Sequence, residues 1–453
     1  MIASPVFAGK RYAVLGLARS GMTAAESLLA SGAQVTAWDS REEPRRALEG
    51  RVDLADPALI DLTGYAGVVV SPGVPLNTHP IAAHAASFGV PVIGDIELFA
   101  LARPSLPAHR VVGITGTNGK STTTALVHHI LQSAALPVRM GGNIGLPVLG
   151  QNPLGPGGVY VLELSSYQID LTHSLECEVA VLLNLTPDHL DRYDGFTGYA
   201  ASKARLFAMQ RTDQFAVFGT SDPKTQAIAA REAQLRGSQR VRSVDGQDLI
   251  GLQDQWPSLQ GPHNLQNAAV AVAIAEALGL TAMQWRPALA SFRGLPHRME
   301  RVAEADGVMY INDSKATNPA STAPALAAFP PNPERRIHWI VGGLPKGDEL
   351  DECEPYFGNV AAAYTIGDAG PRFADLLAPY TKVTRSEMMC DAIRQAKDAA
   401  RPGDVVLLSP ACASFDQFRD YEARGDSFRQ IVHALVDADR AEGAGQPRNG
   451  VTN

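Results

Sequence analysis

The amino-acid sequence predicts an α/β protein of three domains in series: Rossmann-like at the N-terminus, P-loop ATPase-type with a mostly parallel sheet at the centre, and Rossmann-like again at the C-terminus. Three observations lead there. Short apolar runs ending in Gly, Asp or Asn recur along the chain, each followed by an alanine-rich stretch of helical length, the alternation that builds parallel sheets. The stretch "GITGTNGKST", residues 113–122, follows one such run and opens a helix. At 453 residues the chain exceeds one ordinary core and suggests about three domains.

The first set of runs is "YAVLG", "QVTAWD", "GVVVSPG" and "VPVIGDIELF". The Pro-containing loop "ARPSLPAHR" ends it, and the first domain is drawn as 1–108. The second set begins with "HRVVGIT" and the helical "STTTALVHHIL", continues with "VYVLELSS", "VAVLLNLT" and "FAVFGT", and closes with a helix from Asn264 to Leu278 capped by Gly279. A boundary at "FRGLPHRME" gives a central domain of 109–296. The third set, "VMYINDS", "RIHWIVGG", "AAYTIGDAG" and "DVVLLSPA", fills 297–453, and no repeat of fixed period is found.

Composition narrows the function classes. With 45% hydrophobic and 19% charged residues the chain is of soluble globular type. A net charge of -8 without any basic run argues against a nucleic-acid partner. Cys177, Cys353, Cys390 and Cys412 lie far apart with no CxxC, so neither a disulfide framework nor a zinc site is encoded. No apolar run approaches the roughly 18 residues that span a bilayer. A cytoplasmic protein without a membrane partner is expected.

In a P-loop the backbone N–H groups of a glycine-rich turn point at phosphate oxygens, the lysine reaches the terminal phosphates and the Ser/Thr hydroxyl binds Mg²⁺. Gly116, Thr117, Asn118, Gly119, Lys120, Ser121 and Thr122 supply these parts. The strict GxxxxGK[ST] form is not met, because Ile114 stands where its first glycine belongs. Glu163 falls at the carboxyl end of one strand and Asp188 with His189 at the end of another, in the crevice beside a P-loop where α/β sheets bind ligands, and they could complete an Mg²⁺ shell. For His189 a capping or solvated loop position is the plain alternative, with Asp188 and Asp191 favouring function. Lys203 reads from spacing alone as a helix-surface cation.

In the first domain "VLGLARSG" follows a strand, and Asp39 ends the next, a dinucleotide-fold layout without its glycine triad. A diphosphate or nucleotide-sugar pocket, a structural turn, or the NAD site of an oxidoreductase are the readings left open.

Taken in order, "GTNGKST", "GGNIG", "ELSSYQ", "TPDHLDRY", "GPHNLQN", "GLPHRME", "NDSKATN" and "LSPACASFDQF" closely resemble the ATP-dependent Mur ligases of peptidoglycan synthesis over essentially the whole chain. "SPACASFDQF" and "DHLDRY" resemble the D-glutamate-adding branch more narrowly. The resemblance implies a monomeric ligase using ATP and Mg²⁺, with two metal sites. UDP-N-acetylmuramoyl-L-alanine and D-glutamate would be joined through an acyl phosphate and a tetrahedral intermediate. Lys120, Ser121 and Thr122 match the phosphate-binding residues. Ser121 and Glu163 match one metal site, His189 the second, and Lys203 a carbamylated lysine, with Lys120, His189 and Lys203 catalytic.

Asn264 and Asn267 match adenine-nucleotide contacts, with an N-cap and polar first turn as the alternative. Arg298, Asp313 and Lys315 match nucleotide contacts from the last domain, which implies domain closure. Thr317, Lys346, Ser414, Phe415 and Tyr421 match the D-glutamate pocket; Ser414 with Gln417 also fits an S-x-x-Q capping box, and Asn318-Pro319 an N-cap and first helical residue. Arg19, Ser20, Asp39, Ser40 and Gly73 match the uridine and diphosphate contacts, and Asn143 and His189 the substrate nearer the reaction. Ala18-Arg19 depart from the family's glycine-rich first loop, and Tyr421 stands where Phe is usual.

Competing readings are a Mur ligase adding another amino acid such as L-alanine, a non-catalytic nucleotide switch and the NAD-dependent oxidoreductase. The Asp-Asn-Pro-Arg motif of diaminopimelate-adding relatives is absent. Folylpolyglutamate synthases lack a comparable domain before the P-loop.

Overall fold

In a computed structural model the described residues are 1–188, 192–345, 347 and 349–445, with side chains to 437. The first sheet has the order β3-β2-β1-β4-β5, built from β1 (Arg11–Leu15), β2 (Gln34–Trp38), β3 (Asp53–Leu54), β4 (Tyr65–Val70) and β5 (Val92–Ile93). All its pairings are parallel. Strand order reverses between β1 and β4, which opens a crevice at their carboxyl ends.

The central sheet has the order β11-β10-β9-β6-β8-β7 and is also parallel. Its strands are β6 (His109–Thr115), β7 (Val138–Gly142), β8 (Gly158–Glu163), β9 (Val179–Leu182), β10 (Phe215–Gly219) and β11 (Val241–Val244). β8 and β9 are buried at every position, as expected of strands covered on both faces. The phosphate-loop strand β6 lies between them.

The third sheet runs β12-β13-β17-β14-β15-β16. Here β12 (Glu300–Ala305) pairs antiparallel with β13 (Val308–Asn312), while β14 (Ile337–Gly342), β15 (Val360–Ile366), β16 (Lys382–Glu387) and β17 (Val405–Leu408) are parallel to their neighbours.

The chain forms two compact units: Met1–Ile250 with Gln266–Ala290, carrying the first two sheets, and Gly251–Leu265 with the chain from Ser291, carrying the third. Leu28, Ile96 and Phe99 from the first set share one apolar cluster with Val111, Tyr160 and Leu162 of the second. The joint is made by "VPVIGDIELF", only part of which is strand. After β5, Gly94 is extended and the helix Asp95–Ala102 follows, buried at all positions except Leu101. None of the described helices is long and apolar enough to cross a membrane.

Asn318 caps the helix Pro319–Ala327, its side chain accepting from the Ser321 N–H at 2.8 Å. Gly279, just past the helix Pro262–Ala277, is left-handed at φ +92. Asn264 lies inside that helix, so the N-cap alternative for it does not hold. The expected Ser414–Gln417 capping box is not formed either. The chain turns there, and Gln417 donates to the Glu387 carbonyl at 2.8 Å. The box forms instead at Ser165 and Gln168, opening the helix Ser166–Asp170.

Gly142, at the end of β7, has φ +86, and a Cβ there would lie 2.2 Å from the Glu163 carbonyl oxygen. Gly142→Ala is therefore expected to cost about 2 kcal/mol of stability and to displace Glu163. Denaturant melts and ATP turnover of the variant check both effects.

Candidate active site

β6 ends in Thr115, and the chain then folds through Gly116 (φ +149) and Gly119 (φ +82) into the helix Lys120–Ser133. Neither glycine tolerates a side chain. A Cβ on Gly116 would meet Leu183 Cβ at 2.8 Å, and one on Gly119 would meet Asn267 Oδ1 at 2.3 Å. The first-turn N–H groups of the helix make the end attractive to anions. Two other loop N–H groups are already committed: Thr117 donates to the Asn184 carbonyl at 3.0 Å and Asn118 to Asn184 Oδ1 at 2.9 Å. Asn184, at the end of "VAVLLN", was not singled out from the sequence, because a lone Asn after a strand looks like turn chemistry. Lys120 folds back on its own loop, Nζ donating to the Thr117 carbonyl at 2.7 Å.

Glu163 closes β8 at 2% exposure, accepting from Ser121 Oγ at 2.6 Å on one oxygen and from Asn143 Nδ2 at 3.0 Å on the other. Mg²⁺ takes few protein oxygens alongside phosphate oxygens, and the Ser121 hydroxyl beside the Glu163 carboxylate fits that preference. No group of three His, Cys, Asp or Glu side chains forms a metal cluster among the described residues. His189 and Asp191 lie outside the described residues.

Lys203 is not a surface cation. On the helix Gly195–Ala208 it is 2% exposed, its Nζ 3.5 Å from Thr115 Oγ1 and 4.7 Å from the centre of the Tyr199 ring. Burial and the nearby Lys120 charge hold its pKa well below 10.5, against the opposing pull of Asp188, Asp170 and Glu163. Periodicity hid it because one buried lysine leaves the helix pattern almost unchanged.

A cavity of about 820 Å³ opens at the β1/β4 crevice. Arg19, Ser20, Asp39, Ser40, Gly73 and Asn143 all line it. Arg19 also donates to the Gly145 carbonyl at 2.8 Å. Asp39 has a shaping role: its Oδ2 accepts the Leu17 N–H at 2.7 Å, and Arg41 pairs with Oδ1 at 3.1 Å. Burial opposes its charge, but the bonds from Arg41 and Leu17 prevail and lower its pKa. An NAD site uses that acid to receive ribose hydroxyls; here it is already engaged.

In the second unit Asp313 is 7% exposed, Oδ1 accepting from the Met299 N–H at 3.1 Å and Oδ2 from Ser409 Oγ at 2.8 Å. Burial raises its pKa to about 7, with Arg298 pulling the other way. Lys315 Nζ sits 3.8 Å from the centre of the Tyr421 ring, so this ring does take part in a side-chain contact. Thr317 is half-buried, Ser414 buried and Phe415 exposed. Asn264 donates to the Gln260 carbonyl at 3.1 Å. Lys346 lies outside the described residues.

Arg424 was missed from the sequence, where "YEARGDSF" reads as an ordinary polar helix. At 1% exposure, it donates to Ser314 Oγ at 3.0 Å, the Ser314 carbonyl at 2.9 Å, the Ala413 carbonyl at 3.1 Å and the Cys412 carbonyl at 3.0 Å. It ties the loop of Lys315 and Thr317 to the loop of Ser414 and Phe415.

Three family models match the chain: "Mur ligase MurD-like, N-terminal domain" over residues 10–94, "Mur ligase middle domain" over 114–275 and "Mur ligase, glutamate ligase domain" over 297–412. The UDP-N-acetylmuramoylalanine–D-glutamate ligase of Novosphingobium aromaticivorans is 72% identical, over 96% of this chain and 97% of its own. The protein of the same name from Sphingopyxis alaskensis is 60% identical, over 96% of this chain and 100% of its own. Two solved structures from Thermotoga maritima share the fold at 15% identity. The UDP-N-acetylmuramate–alanine ligase MurC has a TM-score of 0.55, covering 94% of this chain and 99% of that one. The MurF ligase, in complex with ADP, has a TM-score of 0.56, covering 95% and 96%.

Lys203 lowers stability because the unfolded chain holds a proton that the native state releases between the lowered pKa and 10.5. Lys203→Met is therefore expected to abolish turnover yet, in CO₂-free buffer where the amine is bare, to raise the melting temperature at about pH 7, with less gain near pH 10; melts at the two pH values check it. For Asp313 the native state retains a proton between 3.8 and about 7 that the unfolded chain gives up, so stability falls as pH rises through that window. Asp313→Asn should remove the fall, its advantage absent below about pH 4 and full above about pH 8. Denaturant midpoints across that range measure it.

Proposed function

The chain belongs to the Mur ligase family, and from that premise we propose that it is an ATP-dependent amide ligase adding D-glutamate to UDP-N-acetylmuramoyl-L-alanine. The 72% identity to a ligase of that name, over 96% of this chain, supports the choice of amino acid. One structural observation carries the chemistry. Asn143 lines the cavity and bonds Glu163 at 3.0 Å, and Glu163 bonds Ser121 of the phosphate loop at 2.6 Å. A polar path thus joins the place for a nucleotide-sugar substrate to the place for ATP.

Residues 1–108 take the UDP moiety, 109–296 the ATP phosphates and 297–453 the amino acid. The protein works as a monomer in the cytoplasm. A carboxylate is a poor electrophile, and phosphorylation gives it a leaving group. The substrate carboxylate oxygen bonds to the γ-phosphorus as the bond to the β-phosphate oxygen breaks, releasing ADP. The D-glutamate amine then adds to the acyl-phosphate carbonyl carbon, giving a tetrahedral intermediate. Its collapse breaks the C–O bond to phosphate, and the amine proton leaves to solvent.

Lys120 turns from the Thr117 carbonyl to the transferring phosphoryl group, where a fixed cation is worth most. Ser121 and Glu163 would hold one Mg²⁺, with His189 and Lys203 assigned to a second by resemblance; bound there, the metal neutralises phosphate charge. Burial lowers the Lys203 pKa and so raises the share of neutral amine, the form that adds to CO₂: an N–C bond forms, a proton leaves and a carbamate results. Asn264, Asn267, Arg298, Asp313 and Lys315 contact the nucleotide. Thr317, Lys346, Ser414, Phe415 and Tyr421 receive D-glutamate.

Phosphate release from ATP with UDP-N-acetylmuramoyl-L-alanine and a panel of amino acids tests the reading. Release is expected only with D-glutamate. Release with L-alanine and the unsubstituted UDP-sugar would assign the neighbouring step instead. Lys120→Ala should lower kcat by about a thousandfold or more. Native mass spectrometry should find one CO₂ on Lys203, and a bare lysine in the active enzyme would remove the carbamate.

A further inference from the structure

Asp95 opens the helix Asp95–Ala102 at 3% exposure, and neither carboxyl oxygen makes a well-formed hydrogen bond. A buried carboxyl in that state is costly. Two polar side chains face it, Gln168 and, more weakly, Ser20; burial outweighs both and raises its pKa to about 6. Both neighbours line the 820 Å³ cavity, although Asp95 itself does not. Gln168 turns its donor end towards Asp95, since its Oε1 is taken by the Ser165 N–H and Oγ, each at 3.2 Å. The backbone is pinned: Gly94 N–H donates to the Leu171 carbonyl at 2.9 Å, and a Cβ on Gly94 would lie 3.0 Å from Leu171 Cβ. Asp95 therefore stands behind the cavity wall, on a helix that contacts both the helix Arg19–Ala30 of the first set and the helix Ser166–Asp170 of the second.

We propose that Asp95 is a positioning residue for nucleoside-diphosphate-sugar binding, bridging Ser20 and Gln168 from behind and so fixing which hydrogens they present to the ligand. The inference rests on the reading of the cavity as the UDP-sugar site. Below about pH 6, where the carboxyl keeps its proton, the O–H donates to Ser20 Oγ and frees the serine hydroxyl hydrogen for a diphosphate oxygen. The other carboxyl oxygen accepts from the Gln168 amide. Asparagine reproduces both bonds, its Nδ2 donating and its Oδ1 accepting, whereas leucine of similar volume makes neither.

The test titrates the full chain and its Asp95→Asn and Asp95→Leu variants with UDP by calorimetry at about pH 5.5, below the carboxyl pKa of about 6, then measures steady-state kinetics. Asp95→Asn should bind UDP within about twofold of the parent, and Asp95→Leu about tenfold more weakly. The KM for the UDP-sugar substrate should rise with it, while kcat and the KM for ATP stay within about twofold. Ser20→Ala should weaken UDP binding in the parent and add little in the Asp95→Leu background. Equal UDP affinity of parent and Asp95→Leu, or fully additive losses in the double variant, overturns the role of Asp95. Should Asp95→Leu not fold, the isosteric Asp95→Asn decides: a folded variant that has lost UDP affinity overturns the bridge. A parent chain that does not bind UDP overturns the reading of the cavity instead.

Discussion

The buried amine of Lys203 sets the terms for the rest of the first unit. An ammonium taken out of water needs compensation, or it gives up its proton. Asp188, Asp170 and Glu163 pull towards the charged form while burial and Lys120 push against it. Two of these acids, Asp170 and Glu163, are in turn fixed. Asp170 accepts from Tyr193 OH at 2.8 Å and Ser202 Oγ at 2.7 Å, and Glu163 is held between Ser121 and Asn143. The balance among these groups links the phosphate-loop lysine, the end of β8 and the helix Gly195–Ala208. An error of one turn in any of the three would leave a charge buried without compensation.

Much of the fold was legible because the inner strands of parallel sheets are apolar on both faces, and runs such as "VYVLE" and "VVLL" have few other interpretations. The strands that escaped notice are β3, β7, β11, β12 and β16, all at sheet edges. "KVTRSE" and "ERVAEA" carry charge where one side of the ladder meets solvent, so their pattern resembles a loop. Local signals also misled. S-x-x-Q occurs at Ser165 and at Ser414, but only the first is followed by a helix. Capping describes how a helix end is satisfied and does not create the helix.

The site was legible in proportion to how much of its chemistry is backbone chemistry. Gly116 and Gly119 are required by close approach to Leu183 and Asn267, and a glycine-rich turn announces that in sequence. Lys203, Asn184, Arg424 and Asp95 take their roles from neighbours far away in the chain. Lys203 and Thr115 are separated by 88 positions, Arg424 and Ser314 by 110. No local pattern carries such information, and resemblance to a family reached only Lys203.

Electrostatics distinguishes the two units. In the first, opposite charges are set close together around Lys203. In the second, the guanidinium of Arg424 is met by one hydroxyl and three carbonyls. Burial lowers its pKa only to about 10, so the positive charge persists at neutral pH. Neutral acceptors satisfy its hydrogen bonds without cancelling that charge, and the residual field favours anions at the two loops it joins. Asp313 points the same way: burial keeps much of its negative charge off at neutral pH while Ser409 and the Met299 amide hold its geometry. A surface prepared in this manner suits ligands that bring negative charge with them, and it achieves this with groups whose positions are set by packing before any ligand arrives.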